Sequence, residues 1–186
     1  MHASVSRARV IVALLLATLL ALGAWHTLHS RSNTAPLRTE GADYLDATYQ
    51  IDGVPVSLAH GVSRVPSAPG SASETLTRYF GNAAKTDLNG DGRTDIVFLL
   101  TQEKGGSGTF FYVVAALNTV HGYEGSEAYF LGDRIAPQTT DIGPDGVINV
   151  NYADHKEGES FAAQPSVGKT VKLRYDQSGM RLVPAN

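Results

Sequence analysis

Asp87-Leu88-Asn89-Gly90-Asp91-Gly92-Arg93-Thr94-Asp95 runs without a break into Ile96-Val97-Phe98-Leu99-Leu100. Oxygen-bearing side chains stand at alternate positions of the first stretch, with glycine where the backbone must turn sharply. One short loop with this spacing supplies most of the oxygens, about six to eight, that a hard cation such as Ca2+ gathers. Asp87, Asn89 and Asp91 are the expected side-chain ligands. Arg93 adds its backbone carbonyl, and Asp95 binds directly or through a water. Three carboxylates this close repel one another unless a cation offsets them. The second stretch is a continuous apolar run, which reads as a strand buried on both faces. A metal loop that feeds a strand sets the expectation for the whole chain: a mainly β domain.

The loop follows a helix-loop-helix calcium site only in its first half. Gly92 occupies the sixth position, where such a loop needs glycine. The twelfth position, which calls for a bidentate Glu, holds Phe98, and Thr94 stands at the eighth. An exiting helix is replaced by the apolar strand. These residues resemble the strand-flanked loops of FG-GAP repeats. A propeller of such repeats requires several four-stranded blades, more than a chain of 186 residues with one such loop can form.

Working outward, strands are expected at 47–51 and 54–58 around the hairpin turn Asp52-Gly53, whose two residues tolerate positive φ. Pro55 places the second of these at an edge. Residues 66–73 read as a Pro-, Gly- and Ser-rich loop. Residues 74–80 alternate as a strand. Further strands are expected at 96–100, 110–117, 128–131, 147–152 and 171–175, with Gln102 to Gly108 as a flexible hairpin connection and turns at Asp145-Gly146 and Ser178-Gly179. The expected architecture is one compact antiparallel domain over residues 44–186, either a sheet or sandwich or a partly open barrel, following an N-terminal apolar helix.

That helix is an export feature. Arg7 and Arg9 precede a charge-free apolar run from Val10 to Trp25, the pattern of a signal peptide or signal anchor. Residues 1–25 form this segment and 26–43 a polar linker. Cleavage after Ala24 and retention as an inner-membrane tether are both consistent with the run, so the domain is expected in the periplasm or outside the cell. There is no cysteine, which excludes a lipid-modified Cys anchor, disulfides and thiolate chemistry. A net charge of −3 argues against a nucleic-acid surface.

With the loop in place, other segments are also informative. Asp87-Leu-Asn-Gly-Asp-Gly, Phe98-Leu-Leu-Thr-Gln, Gly105-Gly-Ser-Gly-Thr-Phe, Leu131-Gly-Asp-Arg-Ile-Ala and Val150-Asn-Tyr-Ala-Asp occur in this order. They resemble a group of uncharacterised bacterial exported envelope and lipoprotein-like proteins. The resemblance implies export and one compact module, and it supplies no mechanism.

The remaining candidates are weaker. Ala163 to Thr170 fits a relaxed phosphate-loop pattern, but the following Val171-Lys172-Leu173-Arg174-Tyr175 alternates like a strand, whereas a phosphate loop opens a helix. Gly105-Gly-Ser-Gly reads as a flexible loop rather than an anion nest. Arg134 is expected in a structural ion pair, with Asp133 or Asp154. His155, in the charged run 154–159, has the chemistry for acid-base work. His60 and His121 stand alone. Two functions follow. One is a non-enzymatic envelope module that holds a structural Ca2+ and contacts a protein or polysaccharide. The other is a secreted hydrolase of an envelope polymer, using Asp133, Asp154, His155 and Glu157.

Overall fold

Ile96–Leu100 forms the buried centre of a nine-residue strand, Asp95–Glu103, and the rest of the architecture is organised around it. The computed structural model describes residues 43–185. The segment expected to direct export, 1–25, and all of the expected linker 26–43 except Asp43 lie outside the described residues. After a single 3-10 turn at Tyr44–Asp46, the strands are β1 (Thr48–Ile51), β2 (Val54–Ser57), β3 (Val62–Pro66), β4 (Glu74–Thr86), β5 (Asp95–Glu103), β6 (Phe110–Thr119), β7 (Gly122–Gly125), β8 (Tyr129–Asp133), β9 (Ala136–Ile142), β10 (Ile148–Asp154), β11 (Val167–Asp176) and β12 (Arg181–Pro184).

They pair into three antiparallel sheets: the hairpin β1-β2, a six-stranded sheet ordered β3-β4-β5-β6-β7 with β8 also on β6, and a four-stranded sheet ordered β12-β11-β10-β9. Glu127 bridges Gln50 and Arg181 in parallel, tying the hairpin to the four-stranded sheet. The mainly β expectation holds, and no closed barrel forms. The chain is not one sheet, however, because β5 and β6 are covered on both faces. On one side Val97, Leu99, Phe111 and Val113 pack with Ile148, Val150, Leu173 and Leu182. On the other Ile96, Phe98, Leu100, Tyr112 and Val114 pack with Tyr49, Ile51, Val56 and Leu58 of the hairpin. Two covered faces explain why β5 and β6 carry unbroken apolar runs instead of alternation. Burial of this kind supplies the main favourable term of folding.

Local signals explain the connections. Asp52 and Gly53 have φ of 52° and 75°, the primed turn that matches strand twist, and Pro55 lies on β2, an edge strand of its sheet. Residues 74–80 are a strand, as expected, but β4 runs on to Thr86. It does so by bulging past Gly81 and Asn82, whose φ values are 116° and 50°. The phosphate-loop look-alike enters β11, which pairs antiparallel with β10 and with β12. No helix N-terminus follows it, so it does not form a phosphate cradle. Among the described residues, no helix is long and apolar enough to cross a membrane.

Candidate functional site

The loop before β5 closes on its own carboxylates. Asp87 Oδ1 accepts the backbone N–H groups of Gly90 (2.8 Å) and Asp91 (3.1 Å), and its Oδ2 accepts that of Gly92 (2.8 Å). Asn89 Oδ1 accepts from Asp91 N at 3.0 Å. Asp91 Oδ1 accepts from Arg93 N at 2.8 Å, and its Oδ2 accepts the Arg93 guanidinium at 2.6 Å. The Arg93 backbone N–H is the main reason the Asp91 carboxyl is held below the usual range, with Asn89 and the Arg93 charge adding to it. Gly90 and Gly92, at φ of 78° and 83°, allow the tight path.

Asp95 differs from the other four. It is fully buried, and its two oxygens accept Leu88 N at 2.9 Å and Asn118 N at 2.8 Å. Burial pushes its carboxyl up, those two N–H groups pull it down, and the Asp91 and Asp87 charges push it up again. The loop is also fixed from outside. Arg93 Nε donates to Asn118 O at 2.7 Å, Gln177 Nε2 donates to Asn89 O at 2.6 Å, and Leu88 packs against the core under the four-stranded sheet. Asn118 and Gln177 carry no sequence signal for this role, since they reach the loop from elsewhere in the fold.

The donor types suit Ca2+, being carboxylate, carboxamide and carbonyl oxygens. Their arrangement is turned inward. Among the described residues, no three Asp, Glu or His side chains converge as a metal-holding group. A carboxylate offers about four lone-pair sites, so the three N–H bonds to Asp87 leave it acceptor capacity. Asp91, which accepts Arg93 N, the Arg93 guanidinium and Asn89 Nδ2, has similar capacity left, but a cation there would compete with the Arg93 charge.

Asp133, Arg134, Asp154 and His155 are brought to one region. Arg134 pairs with Asp133, Nη2 to Oδ2 at 2.6 Å, not with Asp154. Asp133 Oδ1 also accepts Thr109 N at 3.0 Å. The Arg134 guanidinium lies 4.0 Å from the centre of the Phe161 ring, and the His155 ring meets the same phenyl edge-on at 5.0 Å. His155 Nε2 is 3.2 Å from Arg134 O, while its Nδ1 is buried without a partner. Arg134 has φ of 51°, a left-handed conformation uncommon outside glycine. Asp154 Oδ2 accepts Lys169 Nζ at 2.7 Å, and this bond holds the Asp154 carboxyl below its usual range. A carboxyl kept ionised in this way is a poor general acid at neutral pH. The arrangement is a stacked and ion-paired patch. The contribution of Phe161 is not visible in the sequence, because a lone exposed aromatic in a turn-rich segment carries no pattern.

No family model, no curated protein and no solved structure matches this chain.

Proposed function

We propose that this chain is an exported cell-envelope module, periplasmic or extracellular and held to the inner membrane only through its N-terminal segment. It contacts an envelope protein or polysaccharide without catalysing a reaction, and one structural Ca2+ is held by residues 87–95. In this reading it belongs with the bacterial envelope proteins that carry an FG-GAP-like loop, and its layers form a sandwich-like module. The observation that carries the reading is the position of the loop. It is bonded to Asn118 at the end of β6 and to Gln177 in the β11-β12 turn, and Leu88 packs against the core. An ion there would stiffen a joint between layers. Three carboxylates served by one guanidinium leave negative charge for a cation to offset. The hydrolase reading finds less support, since Asp133 and Asp154 are both tied to cations.

Thermal unfolding in calcium and in EDTA tests this. Exported modules bind Ca2+ at about 10⁻⁴–10⁻³ M. At 10 mM calcium, that is about 10–100 times Kd, a gain of about 1.4–2.7 kcal/mol. Asp87→Ala combined with Asp91→Ala should abolish the gain. Superimposable curves for the parent chain in calcium and EDTA would remove the metal from this proposal.

A further inference from the structure

A groove of about 300 Å³ opens between β2 and β3, in the lower range of small-ligand clefts, about 300–1,000 Å³. It exists because the two strands part. His60 and Gly61, at φ of 51° and 78°, make a tight turn closed by the Ala59↔Val62 bridge. Beyond that bridge β2 pairs with β1, and β3 pairs with β4. Pro55 and Pro66 line the resulting fork. Neither has an N–H, so neither strand presents a full edge along which the fork could zip shut.

The floor of the fork is chemically unusual for this fold. Ser63, Thr77 and Gln102 form one cross-strand row over β3, β4 and β5. They are three of the five buried polar or charged residues among the described residues. The other two serve backbone groups: Asp95 accepts from Leu88 N and Asn118 N, and Ser126 bonds Ala115 N and Glu127 O. Gln102 Nε2 donates to Thr77 Oγ1 at 3.1 Å. Buried polar groups cost free energy unless bonded, and the bond to Thr77 uses only one of the two Gln102 N–H donors, leaving the other and the carbonyl oxygen for a ligand. On the lips, Val54 and Val65 are 60% and 53% exposed. The charges at the end wall cancel, with Lys104 Nζ 3.2 Å from Asp52 Oδ2. The groove therefore combines neutral amide and hydroxyl groups below with aliphatic groups at the mouth.

We propose that this groove binds a neutral, acetamido-bearing sugar unit of a polysaccharide. The carboxamide of Gln102 is complementary to an acetamido group, donor to carbonyl and carbonyl to N–H. The Ser63 hydroxyl suits a sugar hydroxyl, the fully buried Thr77 fixes the Gln102 carboxamide from below, and Val54 and Val65 suit the acetyl methyl. Ionic sugars find no free counter-charge here. A strand-like peptide finds proline on both edges. The proposal deepens the envelope-module reading and relies on it only for where such a polymer is met.

Calorimetric titration of the full-length chain tests it, with N,N′-diacetylchitobiose, cellobiose and an acetylated hexapeptide of alternating valine and threonine as probes. Diacetylchitobiose should bind saturably, and cellobiose at least about tenfold more weakly, as expected when a buried amide loses its partner. Gln102→Leu should weaken diacetylchitobiose binding by about tenfold or more. Val54→Asp, at an exposed position, should do likewise with an unchanged melting temperature, which separates loss of binding from loss of folding. Equal affinity for both sugars, binding that survives both substitutions, or tighter binding of the hexapeptide overturns the proposal. Each titration is run in calcium and in EDTA. Saturable, substitution-sensitive binding in either supports the groove whatever calcium does to melting. Absence of binding in both overturns it, even where the calcium shift is found.

Discussion

Replacing Asp95 with alanine tests how the loop is joined to the sheet. The carboxylate is fully buried and serves two backbone donors from different elements, Leu88 in the loop and Asn118 at the end of β6. Removing it strands both N–H groups, at about 1–3 kcal/mol for each buried donor left unmet. Some of that is returned, because burial and the Asp87 and Asp91 charges disfavour the ionised form. The expected net loss is about 2–4 kcal/mol, combining these terms. For a domain of this size, at about 4 °C per kcal/mol, the melting temperature falls by about 8–16 °C. Urea unfolding followed by tryptophan-independent far-UV dichroism should show a lower midpoint with an unchanged slope. Asp95→Asn keeps one acceptor and should lose about half as much. An Asp95→Ala chain within about 0.5 kcal/mol of the parent, the range of ordinary surface changes, would refute the reasoning. Asp95 would then be an onlooker rather than the joint.

Two further outcomes follow from local geometry. A methyl group on Gly125 would sit 2.4 Å from Thr48 O and 2.6 Å from Tyr49 Cδ1, so Gly125→Ala should cost about 1–3 kcal/mol in urea unfolding, whereas Gly168→Ala, which meets nothing within 4 Å, should be near neutral; equal effects would show that the hairpin yields. The Asp154 carboxyl is lowered chiefly by Lys169, so its contribution to stability is present above the ordinary value of 3.8 and is lost as pH falls through the lowered one. Carboxyl titration by NMR should show Lys169→Met returning Asp154 towards 3.8, and an unmoved midpoint would reassign the cause.

The parts of the fold that were legible in the sequence are those whose own residues carry the whole signal. Ile96–Leu100 and the run from Phe110 are apolar because both of their faces are covered, and Asp52-Gly53 announces its turn by φ tolerance alone. β9, Ala136–Ile142, carries no legible strand signal, because it is an edge strand in which Gln138, Thr139 and Asp141 face solvent. β3 and β12 are short edge strands with little alternation, and the extension of β4 beyond Phe80 depends on a bulge at small and polar residues. The loop 87–95 was visible as a spacing, and Asp133-Arg134 as a pair. The inward turn of Asp95 was not, since it depends on where Asn118 falls after β6 crosses the sheet. The groove residues Ser63, Thr77 and Gln102 lie on three strands and align only through register, so no linear motif could show them.

The double covering of β5 has a consequence before folding is complete. Its two shields come from opposite ends of the domain: the hairpin precedes it in the chain, and the four-stranded sheet follows it. Until both arrive, Ile96-Val97-Phe98-Leu99-Leu100 is an uncharged, β-prone segment of the kind that stacks with copies of itself. Asp95 stands immediately before that segment, as a gatekeeper charge would. During biogenesis the hazard lasts until β10, β11 and β12 have docked, so a chain cut short before β10 should aggregate rather than persist as a loosened monomer.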